Sequence, residues 1–415
     1  MIIEGRAYVR GSLQDCCISV ENGRITEIKR TLKGDEKLRF GGIILPAGID
    51  LHVHFREPGL TRKEDFLSGT TAAACGGITC AFDMPNTLPP ATTPERMEEK
   101  VAAVERKAFV DFGLYAGLTE ESDLGGLAET ATAFKMYMAA SEGDLAVGDF
   151  SKLLGLKEEL SAAGKFISIH CEDPGHIRAG KAKRLEDHLA SRPDSAEVGG
   201  IEMAEQLKGL RIHVAHISSE RGLTSLAGTG FTSEVTPHHL FLNVNCDLGA
   251  FAKVNPPLRH KHDQNALWQA FVDGRIDIVA SDHAPHTADE KEAGFDSAPA
   301  GMPGVETTIP LLLERVRRGN LPLERFVNTI CERPAEMLSL KKGRIEVGYD
   351  ADMIAVDLKR PRRIRADDLH SKCGWTPFEG MSGVFPQTTI FRGEQIVRDG
   401  TVIGKPSGRY VGAKH

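Results

Sequence analysis

Ile43-Ile44-Leu45-Pro46-Ala47-Gly48-Ile49-Asp50-Leu51-His52-Val53-His54 is an apolar run that ends in two histidines. The run reads as a strand over Ile43–Leu51, and in a strand residues i and i+2 face the same side. His52 and His54 therefore project together, close enough to share one metal ion. A lone His-x-His is as often a pair of polar strand-end residues. What gives it weight is the rest of the chain.

Outward from this run, strand-like apolar stretches recur at Cys80–Met84, Asp111–Leu114, Phe134–Met138, Phe166–His170, Ile212–His216, Phe231–Val235 and Ile276–Ala280. Helical patterns separate several of them, at Thr93–Ala108, Phe150–Ala163, Gly199–Gln206 and Gln264–Phe271. Thr93 reads as an N-cap, with Pro94 at the first helical position. Eight strands alternating with helices over roughly 250 residues predict a (β/α)8 barrel of the TIM type. A doubly wound open sheet has similar periodicity.

Both termini have a different texture. Cys17–Val20 and Arg24–Ile28 are short strands joined at Asn22-Gly23, a strong hairpin signal. Gly343–Gly348, Asp352–Asp357, Thr388–Phe391 and Gln395–Val397 resume it, with a turn at Arg392-Gly393. One small β domain built from residues 1–46 and 339–415, around a barrel over 47–338, is the economical reading.

The strand ends carry the chemistry. His170 ends one strand, His213 and His216 lie at another, and Asp282 follows a third. Barrel enzymes collect side chains from the C-terminal ends of different strands, and imidazole with carboxylate suits zinc or a related divalent ion. Lys135 sits alone among apolar neighbours in Phe134-Lys135-Met136-Tyr137-Met138. Such a lysine ordinarily snorkels. Two ions need an anionic bridge, however, and this strand has no acid. Burial near cations lowers a lysine pKa, and a neutral amine reacts with CO2 to give an anionic carbamate.

Composition narrows the class. The chain has 415 residues, 43 glycines and a net charge of −7, with acidic and basic residues mixed. No basic tract suggests nucleic acid. The eight cysteines form no Cys-x-x-Cys pair, as expected of thiols in a reducing compartment. The N-terminal stretch has no signal-peptide pattern, and no apolar run is long enough for a membrane span. A soluble, cytoplasmic enzyme is expected.

Longer stretches carry a resemblance: Gly48–Gly59 (GIDLHVHFREPG), Lys63–Phe66, Asp83–Thr87 (DMPNT), Glu234–Leu240 (EVTPHHL), Asn255–Arg259 (NPPLR), Ser281–Thr287 (SDHAPHT), Gly301–Thr307 and Trp375–Gly380 (WTPFEG). Together, in this order, they resemble the amidohydrolase superfamily, and within it the dihydroorotases. The resemblance implies two zinc ions per subunit. His52, His54 and Asp282 would hold the more buried ion, and His170 and His216 the second. Lys135, N6-carboxylated, would bridge them. It selects His216 over His213, which is left a structural residue. Asp282 would move the proton, and Arg56, Asn86, Asn255 and His286 would meet the substrate, with backbone near Pro299–Gly301. Glu234, His238 and His239 are read as bracing the histidines. Ala139–Gly143, after Lys135, is the candidate lid.

The implied reaction is reversible cyclisation of N-carbamoyl-L-aspartate to L-dihydroorotate, in pyrimidine biosynthesis. The resemblance leaves open a homodimer and an association with aspartate transcarbamoylase. Hydantoinases, dihydropyrimidinases and allantoinases are the near alternative, and Arg56 is the discriminating residue, since allantoinases tend to carry Asn there. A non-catalytic scaffold is the alternative of another class, and retention of every ligand gives it no support. A metal-binding transport protein leaves Arg56 and Asp282 together unexplained.

Overall fold

Four strands, β1 (Ile2–Val9), β2 (Ser12–Glu21), β3 (Arg24–Lys29) and β4 (Lys37–Pro46), begin an outer sheet in the computed structural model, which describes residues 1–34, 36–139, 145–178 and 180–412. β1 is antiparallel to β2 and parallel to β4. Asn22 and Gly23 have φ of 51° and 79°. Both are left-handed, as the tight β2–β3 hairpin requires.

The run read as one strand over 43–51 is two. β4 ends at Pro46, and β5 (Gly48–Val53) begins a second sheet. Pro46 has no N–H to continue a ladder. Gly48 lets the chain cross in a narrow space, since a Cβ there would lie 2.6 Å from Ile78 Cδ1 and 2.7 Å from Ile309 Cδ1.

The second sheet continues with β6 (Ile78–Asp83), β7 (Asp111–Gly117), β8 (Ala133–Tyr137), β9 (Phe166–His170), β10 (Arg211–Val214), β11 (Thr232–Val235) and β12 (Ile278–Val279). Consecutive strands pair in parallel throughout. At the seam between β12 and β5, the His54 N–H donates to the His283 carbonyl at 2.8 Å. The Ser281 N–H donates to the Asp50 carboxylate at 3.1 Å. The result is the (β/α)8 barrel expected. Several helices differ in extent: 150–163 is two helices, Phe150–Gly155 and Lys157–Ala163, and Thr93 caps Pro94–Val104.

The chain returns to the outer sheet with β13 (Met353–Val356) and passes through a separate ribbon, β14 (Arg362–Arg363) and β15 (Ser382–Gly383). It then adds β16 (Thr388–Phe391), β17 (Glu394–Arg398) and β18 (Thr401–Val402). The outer order is β18-β17-β16-β13-β4-β1-β2-β3. Gly343–Gly348, read as strand-like, is turn and irregular chain, with Val347 exposed and Gly348 at φ 88°. Within 339–415, two stretches lie on the barrel. Trp375 Nε1 donates to the His286 carbonyl at 2.8 Å, and the Val411 N–H donates to Phe112 of β7 at 2.8 Å. No helix among the described residues is long and apolar enough to cross a membrane.

Candidate active site

The functional groups sit in or just past the strands: His52, Lys135 and His170 within β5, β8 and β9, and His54, Arg56, His216 and Asp282 just beyond β5, β10 and β12. Three of these residues, Arg56, His216 and Asp282, have left-handed φ of 62°, 37° and 44°. Of the other non-glycine residues at positive φ, Arg10, Asn22, Arg392 and Asp399 open two-residue hairpin turns, and Ser339 follows a helix. Backbone held in this sparsely populated region away from turns gathers at functional sites.

The segment after β5 is clamped from both sides. The Phe55 N–H donates to Asp83 Oδ1 at 2.6 Å, and Asp50 Oδ1 accepts the His52 N–H at 3.1 Å. His52 Nε2 then lies 3.4 Å, and His54 Nε2 3.0 Å, from Asp282 Oδ1. The opposite ring nitrogens are held. His52 Nδ1 bonds Glu234 Oε1, and His54 Nδ1 bonds Asn86 Oδ1 at 2.6 Å. His170 Nδ1 faces His216 Nε2 at 3.1 Å, while His170 Nε2 bonds Glu172 Oε2 at 2.7 Å. An acceptor behind the imidazoles of His52, His54 and His170 fixes each ring and leaves the other nitrogen facing inward, which is how histidine ligands are oriented.

The spacings suit metal. Two donors at ordinary zinc bond lengths on one tetrahedral ion stand about 3.3 Å apart, inside the 3.0–3.4 Å seen here. Ligand atoms of His52, His54 and Asp282 all lie within 4.8 Å of one another. Lys135 Nζ and His216 Nδ1 are buried with no hydrogen-bond partner among the described residues. The buried polar atoms and the donor set fit a pair of divalent ions.

Burial alone would raise the Asp282 carboxyl, but His52, His54 and His216 carry it well below its ordinary value. Burial pushes the Lys135 ammonium down to about 8, against the pull of Glu234 and Asp282.

These groups open onto a cavity of about 320 Å³ that also exposes Arg56, Asn86, Asn255, Lys253 and the Ala298–Gly301 chain. Asn255 Oδ1 is a buried acceptor with no partner among the described residues. The sequence reading set His286 against the substrate. Its Nε2 stands 3.1 Å from Arg56 Nη2 and 3.1 Å from the carbonyl of Ala300, two residues that line the cavity. Its Nδ1 takes a hydrogen bond from Lys63 at 3.0 Å. Burial, with Arg56, Lys63 and Lys291 around it, keeps this ring neutral. Of the candidate lid Ala139–Gly143, only Ala139 lies among the described residues. A larger cleft of about 860 Å³, between the outer sheet and the helix Leu323–Val327, carries none of these histidines.

Glu172, Arg192 and Asp50 also belong to the site, although no sequence pattern marks them. Arg192 grips Glu172 with both Nε and Nη2, at 3.1 and 2.7 Å, and so holds the acceptor behind His170. Only proximity in the fold reveals this pair, 20 residues apart in the chain. Glu234 meets His52 and also His213 Nε2, the latter at 3.0 Å.

Residues 43–396 match the amidohydrolase family. The chain is 39% identical to a dihydroorotase of Methanosarcina mazei, over 99% of this chain and 96% of that one. It is 41% identical to a dihydroorotase of Halobacterium salinarum, over 89% of each. Among solved structures, the L-hydantoinase (dihydropyrimidinase) of Arthrobacter aurescens is similar with a TM-score of 0.92, at 29% identity and 99% coverage of both chains. A D-hydantoinase gives 0.90 at 28% identity, over 99% of this chain and 98% of that one. A barrel with metal-type donors at its strand ends is thus an amidohydrolase barrel, and the chain belongs to the amidohydrolase family. Within it, the near-full-length sequence likeness sets the chain with the dihydroorotases.

Proposed function

We propose that the protein catalyses the reversible, zinc-dependent cyclisation of N-carbamoyl-L-aspartate to L-dihydroorotate with release of water, a step of pyrimidine biosynthesis. The observation that carries the substrate is Arg56. Its buried guanidinium lies on the wall of the cavity that also holds His54, Lys135 and Asp282. A guanidinium is matched to a carboxylate, and dihydroorotate differs from an uncharged dihydropyrimidine by its ring carboxylate.

His52, His54 and Asp282 are the residues to hold one zinc ion, and His170 and His216 the other. Lys135, carboxylated on Nζ, would supply the anionic ligand shared by the two. When bound, the ions supply polarisation of the scissile carbonyl and a water acidified from about 15.7 to about 7. Asp282 accepts a proton from the attacking water and delivers it to the ring nitrogen as the amide opens. In ring closure it takes the proton from the ureido nitrogen and returns it to the departing water. Arg56 holds the ring carboxylate, and His286 and Lys63 position Arg56 from behind. Asn255 Oδ1 accepts a ring N–H. Asn86 orients His54 while lining the same cavity.

The metal assignment is tested by chelation and reconstitution. Turnover should vanish in metal-free protein and return with zinc plus bicarbonate. Full recovery with zinc under strict exclusion of CO2 would contradict carboxylated Lys135.

A further inference from the structure

One wall of the catalytic cavity is built largely of backbone. The chain Ala298–Gly301 and the segment Lys253–Asn255 both line it, with Arg56. Gly301 has φ of 142°, and a Cβ there would lie 2.6 Å from the Ala284 carbonyl oxygen and 3.0 Å from His286 Nε2. The chain can pass here because this residue has no side chain.

Lys291 supports this wall. It belongs to the helix Ala288–Glu292, is fully buried, and does not itself line the cavity. A lysine ammonium has three N–H donors. Lys291 Nζ meets three backbone carbonyls, those of Lys253 at 3.2 Å, Pro299 at 2.9 Å and Gly301 at 3.0 Å. Burying an ammonium is costly without such partners. The Ala300 carbonyl stands 3.1 Å from His286 Nε2, and the Gly301 N–H donates to the Lys253 carbonyl at 2.9 Å. Proline has no N–H. Of the backbone polar groups of Pro299–Gly301, the Ala300 N–H alone has no hydrogen-bond partner among the described residues.

We propose that Lys291 is a positioning residue for substrate selection. Its ammonium holds the Pro299 and Gly301 carbonyls out of the cavity, so the wall offers an incoming carboxylate an N–H and no free carbonyl oxygen. The proposal rests on the reading of Arg56 as the holder of the ring carboxylate, and His286 contacts both Arg56 and Ala300. Dipoles set before the substrate arrives need no reorganisation when it binds, and such a site depends on the shell that fixes its backbone. Without the ammonium, the two carbonyls are free to turn toward the cavity. Their oxygens then oppose a carboxylate, whereas an uncharged ring is little affected.

The test is steady-state kinetics of the zinc-loaded full chain on dihydroorotate and dihydrouracil, in wild type, Lys291→Met and Lys291→Gln. Lys291→Met should raise KM for dihydroorotate about tenfold or more, with kcat within about threefold and KM for dihydrouracil changed less than about threefold. Lys291→Gln keeps two donors and should raise KM for dihydroorotate less than Lys291→Met does. Zinc content and circular dichroism should match wild type in both. A wild type active on dihydroorotate whose Lys291 variants keep its KM, or lose equally on both rings, overturns this proposal alone. Loss of the barrel in both variants makes Lys291 a folding residue and also overturns it. A wild type that turns over dihydrouracil in preference to dihydroorotate overturns the functional reading, and this proposal with it.

Discussion

His54 Nε2 stands 3.0 Å from Asp282 Oδ1, although the two residues follow the first and last strands of the barrel and are 228 positions apart. The contact sits on the seam, where the His54 N–H also bonds the His283 carbonyl. Barrel closure and assembly of the donor cluster are therefore one event.

Asp282 is the proton carrier in this account and also a ligand. Asp282→Ala should lower kcat for dihydroorotate hydrolysis by at least about 10³-fold, the scale of losing acid–base catalysis together with a metal ligand. Circular dichroism should show the fold retained. A kcat within about tenfold of wild type removes Asp282 from proton transfer.

Arg56 separates a charged ring from an uncharged one. Its φ of 62° makes Asn the suitable replacement, because Asn tolerates the left-handed region and carries no charge. Charge-assisted hydrogen bonds contribute about 1.5–3 kcal/mol each. Arg56→Asn should therefore reduce kcat/KM for dihydroorotate by about 100-fold or more, and for dihydrouracil by less than about tenfold. Equal losses would mean that Arg56 does not hold the ring carboxylate.

Lys135 must lose a proton before it can take up CO2. An ordinary lysine stays ammonium until about pH 10.4, whereas burial brings Lys135 down to about 8. The neutral amine gains as pH rises through that value. The rate of bicarbonate-dependent reactivation of metal-free protein should climb between about pH 7 and 9, then level off. A rate independent of pH over this range contradicts the assignment.

His188 gives a stability signature. Burial, helped by Arg192 and Lys253, pushes its pKa down from 6.5 to about 4, against the pull of its bond to the Val254 carbonyl. The unfolded chain takes up a proton as pH falls through 6.5, and the folded protein does so only near 4. Stability is thus full above about 6.5 and declines as pH falls towards 4, by about 3 kcal/mol from this group. Urea midpoints at pH 7.5 and 4.5 should show a smaller acid loss in His188→Gln than in the wild type. An identical loss in both would assign the acid sensitivity elsewhere.

The histidines were legible because each lies at or just past the end of an apolar strand, where a polar residue stands out against the run before it. The barrel was legible for the same reason, its strands being buried on both faces and nearly continuously apolar. The break at Ala47 was hidden, because Ile43–Ile49 is apolar whichever sheet owns it. The acceptors behind the histidines were harder. Glu172 and Arg192 are ordinary charged residues in sequence, and only the fold sets them behind His170. The contact of His286 with Arg56, 230 positions away, is likewise set by the fold and not by any linear pattern.

The most direct test of the account is initial-rate hydrolysis of dihydroorotate, followed by loss of ultraviolet absorbance, beside dihydrouracil, hydantoin and allantoin at equal concentration with zinc present. The account predicts fast turnover of dihydroorotate and little of the three rings that lack its carboxylate. Preference for an uncharged ring would contradict it and move the protein to hydantoinase chemistry on the same barrel.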